Sequence, residues 1–183
     1  MPHSPTAGQA AHSPGAGAWV LGVDSGGSGV RAALARADGS AVSAPAACDR
    51  PAVTGERGID AESLLERLLP LATGLMRAAG AEHVAAACVG AAGMASLGED
   101  LRARLPAALA DRLGVRRLAL AGDAVTAYAG ALGLRPGVVV AAGTGMIALG
   151  TAADGGGRLE DVRRGLPQDV RGDRVLGRAP RQR

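Results

Sequence analysis

The 183-residue chain has no lysine, no asparagine and no phenylalanine, and only two isoleucines. Aromatic residues amount to 1%, namely Trp19 and Tyr128. Any core must therefore be built from Ala, Val and Leu. The depleted types are those with AT-rich codons, so the bias reads as that of a GC-rich coding sequence and not as a demand of function. All 20 basic residues are arginine. Under that bias their number says little about nucleic acid, and the formal net charge is only +3. No apolar run approaches the ~20 residues of a membrane span. Cys48 and Cys88 lie far apart and form no CxxC pair, which excludes a disulfide scaffold and speaks against a cysteine metal site within one chain. The N-terminus lacks a basic segment followed by an apolar one, so no signal peptide is read and the expected location is the cytoplasm.

What is present is ordinary for a globular domain: 48% hydrophobic and 20% charged residues, in a chain long enough for one proper core. Residues 1–17 are small, polar and proline-containing. They read as a disordered tail, with His3 and His12 as solvated side chains rather than ligands. From Trp19 the pattern changes. AWVLGVD is a buried strand that runs into the turn DSGGSG. VRAALAR follows as a second strand, ADGS as a turn, and AVSAPAAC (41–48) as a third strand, together an antiparallel meander. Leu64, Leu65, Leu68, Leu69, Ala72, Leu75 and Met76 share one face of a helix, N-capped by Asp60, kinked at Pro70 and ended by Gly80. A buried strand lies within 83–93, a helix over 99–113, a strand over 115–123, a helix over 124–133, and strands over 137–145 and from Met146 onward. Strands alternating with helices in the second half predict an α/β fold, with part of the sheet parallel and helices on both faces.

The candidate chemistry sits at strand ends. Asp24, Ser25, Gly26, Gly27, Ser28 and Gly29 follow a buried strand. Glycines let the backbone approach an anion, successive N–H groups cradle phosphate oxygens, and an adjacent carboxylate suits Mg²⁺ held partly through water. The competing reading is a plain glycine hairpin. Gly143, Thr144 and Gly145 repeat the same grammar after VVVAA. Asp123 closes LALAG and opens a helix, where N-capping explains it equally well, yet a carboxylate at the carboxyl end of a strand also lies where α/β folds place ligands. Gly90-Ala91-Ala92-Gly93 ends another strand and carries no reactive side chain.

The set VDSGGSGVRAAL, VGAAGM, LAGDAVTAYAGALG and VVVAAGTGMIALG resembles the first domain of the sugar-kinase, heat-shock-protein and actin ATPase superfamily. More narrowly it resembles the BadF/BadG/BcrA/BcrD-type ATPases, which include N-acetylglucosamine kinases. The likeness covers about residues 18–151. It implies a ribonuclease-H-like, actin-like ATPase lobe with a mixed five-stranded sheet. On this resemblance 18–135 form that lobe, 136–151 are the first hairpin of a second lobe, and 152–183 are an arginine-rich tail expected to be disordered. ATP and Mg²⁺ are the implied cofactors. Asp24 organises the metal, Ser25 to Gly29 hold phosphates, Gly143, Thr144 and Gly145 face them, and Asp123 accepts the proton of a sugar hydroxyl. The implied substrate is an amino sugar.

Two departures stand out. Where relatives carry an acid after the fourth strand, Gly93-Met94-Ala95 stands here, with Glu99 and Asp100 only near in sequence. Beyond residue 151 nothing resembles a second lobe. The Gly157-Arg158-Leu159 string is one that the codons of the family's usual continuation can give out of frame. The expectation is thus a kinase cut short by a shifted frame, possessing half a cleft and prone to self-association, as in a homodimer. The alternatives are the activator ATPase of a 2-hydroxyacyl-CoA dehydratase, which needs cysteines holding an iron–sulfur cluster, and a non-enzymatic nucleotide- or sugar-binding regulator. Specific nucleic-acid binding is not expected, because the tail mixes acids with its arginines and has no aromatic for stacking. No membrane partner is expected either.

Overall fold

The computed structural model describes residues 14–15, 17–55, 58–92, 98–142, 146–152, 157–161 and 176–177. Most of the N-terminal tail read over 1–17 lies outside them. β1 (Trp19–Gly26) and β2 (Gly29–Arg36) form a hairpin paired to its tip, with Gly26 opposite Gly29 and Asp24 opposite Arg31. β3 (Ala46–Cys48) pairs antiparallel with β2. It is shorter than expected. Pro45 has no N–H to offer a ladder, and before it only one bridge, Val42 to Ala35, is made. β4 (Thr54–Gly55) and β5 (Gly58–Ile59) add a small hairpin that the sequence reading does not contain.

Helix α1 (Ala61–Ala79) starts where the capping argument puts it. The Asp60 carboxylate accepts from the Ser63 N–H at 2.7 Å, and Gly80 closes the helix in the left-handed conformation, φ 64°. α1 continues through Pro70, whose ring stands on the exposed side. β6 (Ala86–Ala91), α2 (Glu99–Leu113), β7 (Arg117–Gly122) and α3 (Asp123–Leu132) follow. β6 runs parallel to β1, and β7 parallel to β6. The result is a mixed five-stranded sheet of order β3-β2-β1-β6-β7.

α1 and α2 cover one face. Leu64, Leu68 and Ala72 of α1 and Leu105 and Leu109 of α2 are fully buried against Leu21, Leu34 and Val89 of the sheet. This aliphatic layer is the main core, as the lack of aromatics requires. Leu64→Ala is expected to cost about 3 kcal/mol, a cavity-forming loss in a site that cannot collapse. In a chain of this size that lowers the melting temperature by about 6–12 °C. A calorimetric melt shifted by less than about 2 °C would show that the layer repacks freely.

α3 lies on the opposite face, over the carboxyl ends of the strands, where it contacts β1, β6 and β7. The rest of that face is open, an apolar groove of about 570 Å³ lined among others by Val20, Gly22, Ala33 and Cys88. Cys88 is consequently exposed and Cys48 half-buried, so neither strand cysteine is a buried hydrophobe. Along β6, Ala87, Val89 and Ala91 take the core side, and strand alternation turns Cys88 outward.

α3 also joins a second sheet. Tyr128 and Leu132 pack on Val139 of β8 (Gly137–Ala142), and the Tyr128 hydroxyl meets the Arg135 carbonyl oxygen and the Thr151 hydroxyl. β8 pairs antiparallel with β9 (Met146–Thr151). β10 (Gly157–Asp161) extends the sheet beyond β9, and β11 (Leu176–Gly177) pairs with β8. Strand pairing therefore passes the boundary expected at residue 151. Composition misses it because a ladder uses main-chain groups that every residue but proline supplies. Among the described residues no helix is long and apolar enough to cross a membrane.

Candidate functional site

The carboxyl half of β1, the facing residues of β2 and the start of α3 enclose a cleft of about 310 Å³ whose lining includes Asp24, Arg31, Asp123 and Thr126. Each polar group is there for a local reason. Asp24 is on the α3 side of β1, because Leu21, Val23 and Ser25 alternate to the core side. Arg31 faces it across the hairpin, the two being register partners. Their ion pair spans 3.7 Å with both side chains about half exposed, 55% for Asp24 and 53% for Arg31. Exposure of that order makes the pair worth little to stability. Its value is in placing a cation beside the hairpin tip, where the Arg31 guanidinium also donates to Ser28 Oγ at 3.4 Å. Arg31 was absent from the sequence candidates. The signal was available in the seven-residue spacing of Asp24 and Arg31 around a two-residue turn, which makes them cross-strand neighbours.

The loop itself is tighter than the sequence reading. Only Gly27 and Ser28 form the turn, and Asp24, Ser25, Gly26 and Gly29 belong to the ladder. Among the described residues the N–H groups of Gly27 and Ser28 have no protein acceptor. Ser25 is 1% exposed and its Oγ has no partner there. A buried hydroxyl without a partner is costly. That hydroxyl lies on the core side, away from the cleft; the two free N–H groups and an open Gly26, with nothing within 4 Å of where its Cβ would be, are what fit a phosphate-binding tip.

Asp123 is the first residue of α3, and Gly122 holds the N-cap position without a side-chain bond. The capping role foreseen for Asp123 is therefore corrected. Its Oδ1 accepts the neighbouring Ala124 N–H at 2.8 Å, which leaves the second oxygen available to the cleft. The Asp24 carboxyl is held above its usual range. Desolvation by the sheet and α3 raises it most, Arg31 pulls it back, and the Asp123 charge pushes it up again. Arg31→Ala should therefore move the Asp24 titration midpoint still higher. A carbon-detected NMR titration reads this directly, and a midpoint that falls or stays would contradict the arrangement.

Other candidates fall elsewhere. Gly143, Thr144 and Gly145 lie outside the described residues, as does the Gly93-Met94-Ala95 stretch; the strands flanking the former pair up to Ala142 and Met146. Glu99 opens α2, and Asp100 is occupied at the start of α1, its Oδ2 accepting the Ala61 N–H at 2.8 Å, with Arg104 at 3.6 Å. Cys48 ends the short β3 and Cys88 faces the open groove. Among the described residues no three His, Cys, Asp or Glu side chains gather to hold a metal. A single carboxylate suits Mg²⁺, which keeps most of its water and binds with phosphates.

The architecture is that of an actin-like ATPase lobe. Among solved structures the chain is similar to a protein from Chromobacterium violaceum assigned as an N-acetylglucosamine kinase, with 28% identity and a TM-score of 0.54 over 78% of this chain and 48% of that one. It is also similar to the ethanolamine utilization protein EutJ from Carboxydothermus hydrogenoformans, at 21% identity and TM-score 0.56 over 78% and 52% of the two chains. A third is the ROK hexokinase from Thermus thermophilus, at 23% identity and TM-score 0.51 over 80% and 50%. The chain spans about half the length of these structures. No protein-family model and no curated protein matches it. The fold is thus shared with sugar kinases and actin-like ATPases.

Proposed function

We propose that this chain is the nucleotide-binding lobe of an ATP-dependent sugar kinase of the N-acetylglucosamine-kinase type, with residues 18–135 forming the lobe. The observation that carries the reading is the cleft that gathers Asp24 and Asp123, at the carboxyl ends of the parallel strands β1 and β7, with Arg31 of β2 beside them. In open α/β sheets such a place is where ligands bind. The hairpin tip, through the Gly27 and Ser28 N–H groups, holds phosphate oxygens. Gly26 and Gly29 keep the tip bare and close to the sheet. Asp24 holds Mg²⁺, which when bound neutralises phosphate charge. Gly143, Thr144 and Gly145 hold the nucleotide from the second sheet. Asp123 accepts the proton of the sugar hydroxyl that attacks. Catalysis of this kind rests on positioning and charge more than on covalent chemistry, and a positioned base adds roughly 10²–10⁴-fold.

The test is calorimetric titration of the whole chain with ATP, with and without Mg²⁺. A Mg²⁺-dependent Kd of about 1 mM or tighter, equivalent to about −4 kcal/mol, is expected. A coupled assay of N-acetylglucosamine phosphorylation then separates a kinase from a nucleotide-binding regulator. A folded chain that takes no nucleotide at that level sinks the reading. An iron–sulfur absorbance band would instead favour the dehydratase-activator class, although Cys48 and Cys88 sit on different strands and faces.

A further inference from the structure

Gly90 stands in the middle of the sheet. In the parallel ladder its register partners are Asp24 on β1 and Ala121 on β7. Register partners face the same side, so the missing side chain of Gly90 points to the face that carries Asp24 and α3. Thr126 lies on that spot. A Cβ built on Gly90 would be 2.2 Å from Thr126 Oγ1 and 3.0 Å from its Cβ and Cγ2. Gly90 is not among the glycines with positive φ. Its backbone conformation therefore does not call for glycine; the close approach of the helix does. Thr126 is one turn after Asp123, and its hydroxyl donates to the Asp123 carbonyl oxygen at 3.0 Å. With no side-chain cap at Gly122, packing on β6 joins the contacts with β1 and β7 in locating the start of α3.

We infer that Gly90 is a positioning residue of the cleft: the notch left by its absent side chain seats Thr126 on β6, and that seat sets the Asp123 carboxylate against Asp24. The inference rests on the reading that these two carboxylates share the nucleotide site. An alanine at position 90 needs at least 0.8 Å more room at Thr126 Oγ1, from 2.2 Å to the 3.0 Å that real contacts reach, and the Cβ approach of 3.0 Å passes the displacement to the helix backbone. Asp123, three residues earlier on the same short helix, moves with it. Misplacement near 1 Å in a positioned site costs up to about a hundredfold.

The experiment compares wild type, Gly90→Ala, Thr126→Ala and the double variant. Crystal structures give the separation of the Asp24 and Asp123 carboxyl groups, and a coupled assay gives the rate of N-acetylglucosamine phosphorylation. Gly90→Ala is expected to change the separation and lower the rate by about tenfold or more. Adding Thr126→Ala removes Oγ1 and Cγ2 and leaves only the 3.0 Å Cβ approach. It is expected to restore the separation and bring the rate within about threefold of Thr126→Ala alone, a coupling that two independent sites do not show. An unmoved α3 in Gly90→Ala, or no restoration in the double variant, overturns the inference. Should Gly90→Ala fail to fold, the double variant decides: a fold with wild-type separation upholds the notch, and an unfolded chain shows that the glycine serves the strand instead. Should wild type bind no nucleotide, the nucleotide reading fails on its own, and the carboxyl separation still judges the notch.

Discussion

In the proposed site Asp24 holds Mg²⁺, and Asp24→Asn is then expected to reduce Mg²⁺-nucleotide affinity by about a hundredfold, since even groups that only orient a metal ligand are worth 10–100-fold. The same substitution should leave the protein slightly more stable at neutral pH. The folded chain holds the Asp24 carboxyl above its usual 3.8, so the ionised form is the disfavoured one. The stability tied to this group is fully present below pH 3.8 and is lost as pH rises through the folded value. At pH 7 ionised Asp24 is a cost that asparagine removes. The side chain is 55% exposed, so solvent screening keeps the gain small, about 1 °C in melting temperature. The lost ion pair with Arg31 offsets little of it, since pairs this exposed contribute near zero. Melting curves at pH 7 and below pH 4, run beside the titrations, check both halves. A variant that melts several degrees lower at pH 7 would mean Asp24 is structural. A variant that binds Mg²⁺-ATP as wild type does would remove it from the site. A residue that lowers stability while serving a ligand is the usual mark of a site kept for function.

Gly29→Ala is expected to be the most damaging change in the hairpin. Gly29 has φ +134°, and its missing Cβ would lie 2.2 Å from the Cys48 carbonyl oxygen and 3.0 Å from Asp49 Cα. The colliding atoms are backbone, so relief requires moving β3 away from β2. Conformational strain and overpacking each cost about 1–3 kcal/mol, together lowering the melting temperature by roughly 4–24 °C. Gly26→Ala is the matched control. Nothing lies within 4 Å of its Cβ position, so stability should change by less than about 1 kcal/mol. Nucleotide affinity should nevertheless fall, because the added methyl occupies the space a phosphate approaches. Equal melting temperatures for the two variants would show that the β2–β3 approach is soft. An unchanged affinity in Gly26→Ala would show that phosphate does not approach the tip there.

The sequence alone determined whatever depends on near neighbours. The β1–β2 hairpin, the Asp60 cap, the Gly80 stop and the 99–113 span of α2 are set by turn chemistry, capping and a 3.6-residue apolar period, all read within a few residues. The candidate carboxylates Asp24 and Asp123 were legible because each ends an apolar strand. Tertiary structure decided the rest. Which half of the sheet α3 covers determines that Cys88 meets solvent although β6 is otherwise buried. The seating of Thr126 on Gly90 joins residues from different strand–helix units, and no local pattern encodes that approach. The β10 pairing with β9 relies on main-chain groups common to all residues. Arg31 falls between these cases: its cross-strand position follows from the turn, but its place in the cleft follows only once α3 brings Asp123 to the same side. Local geometry is fixed by torsional preference and short-range hydrogen bonds, whereas the companions a side chain meets across a sheet depend on strand order and register, which arise only when distant segments bury their apolar faces together.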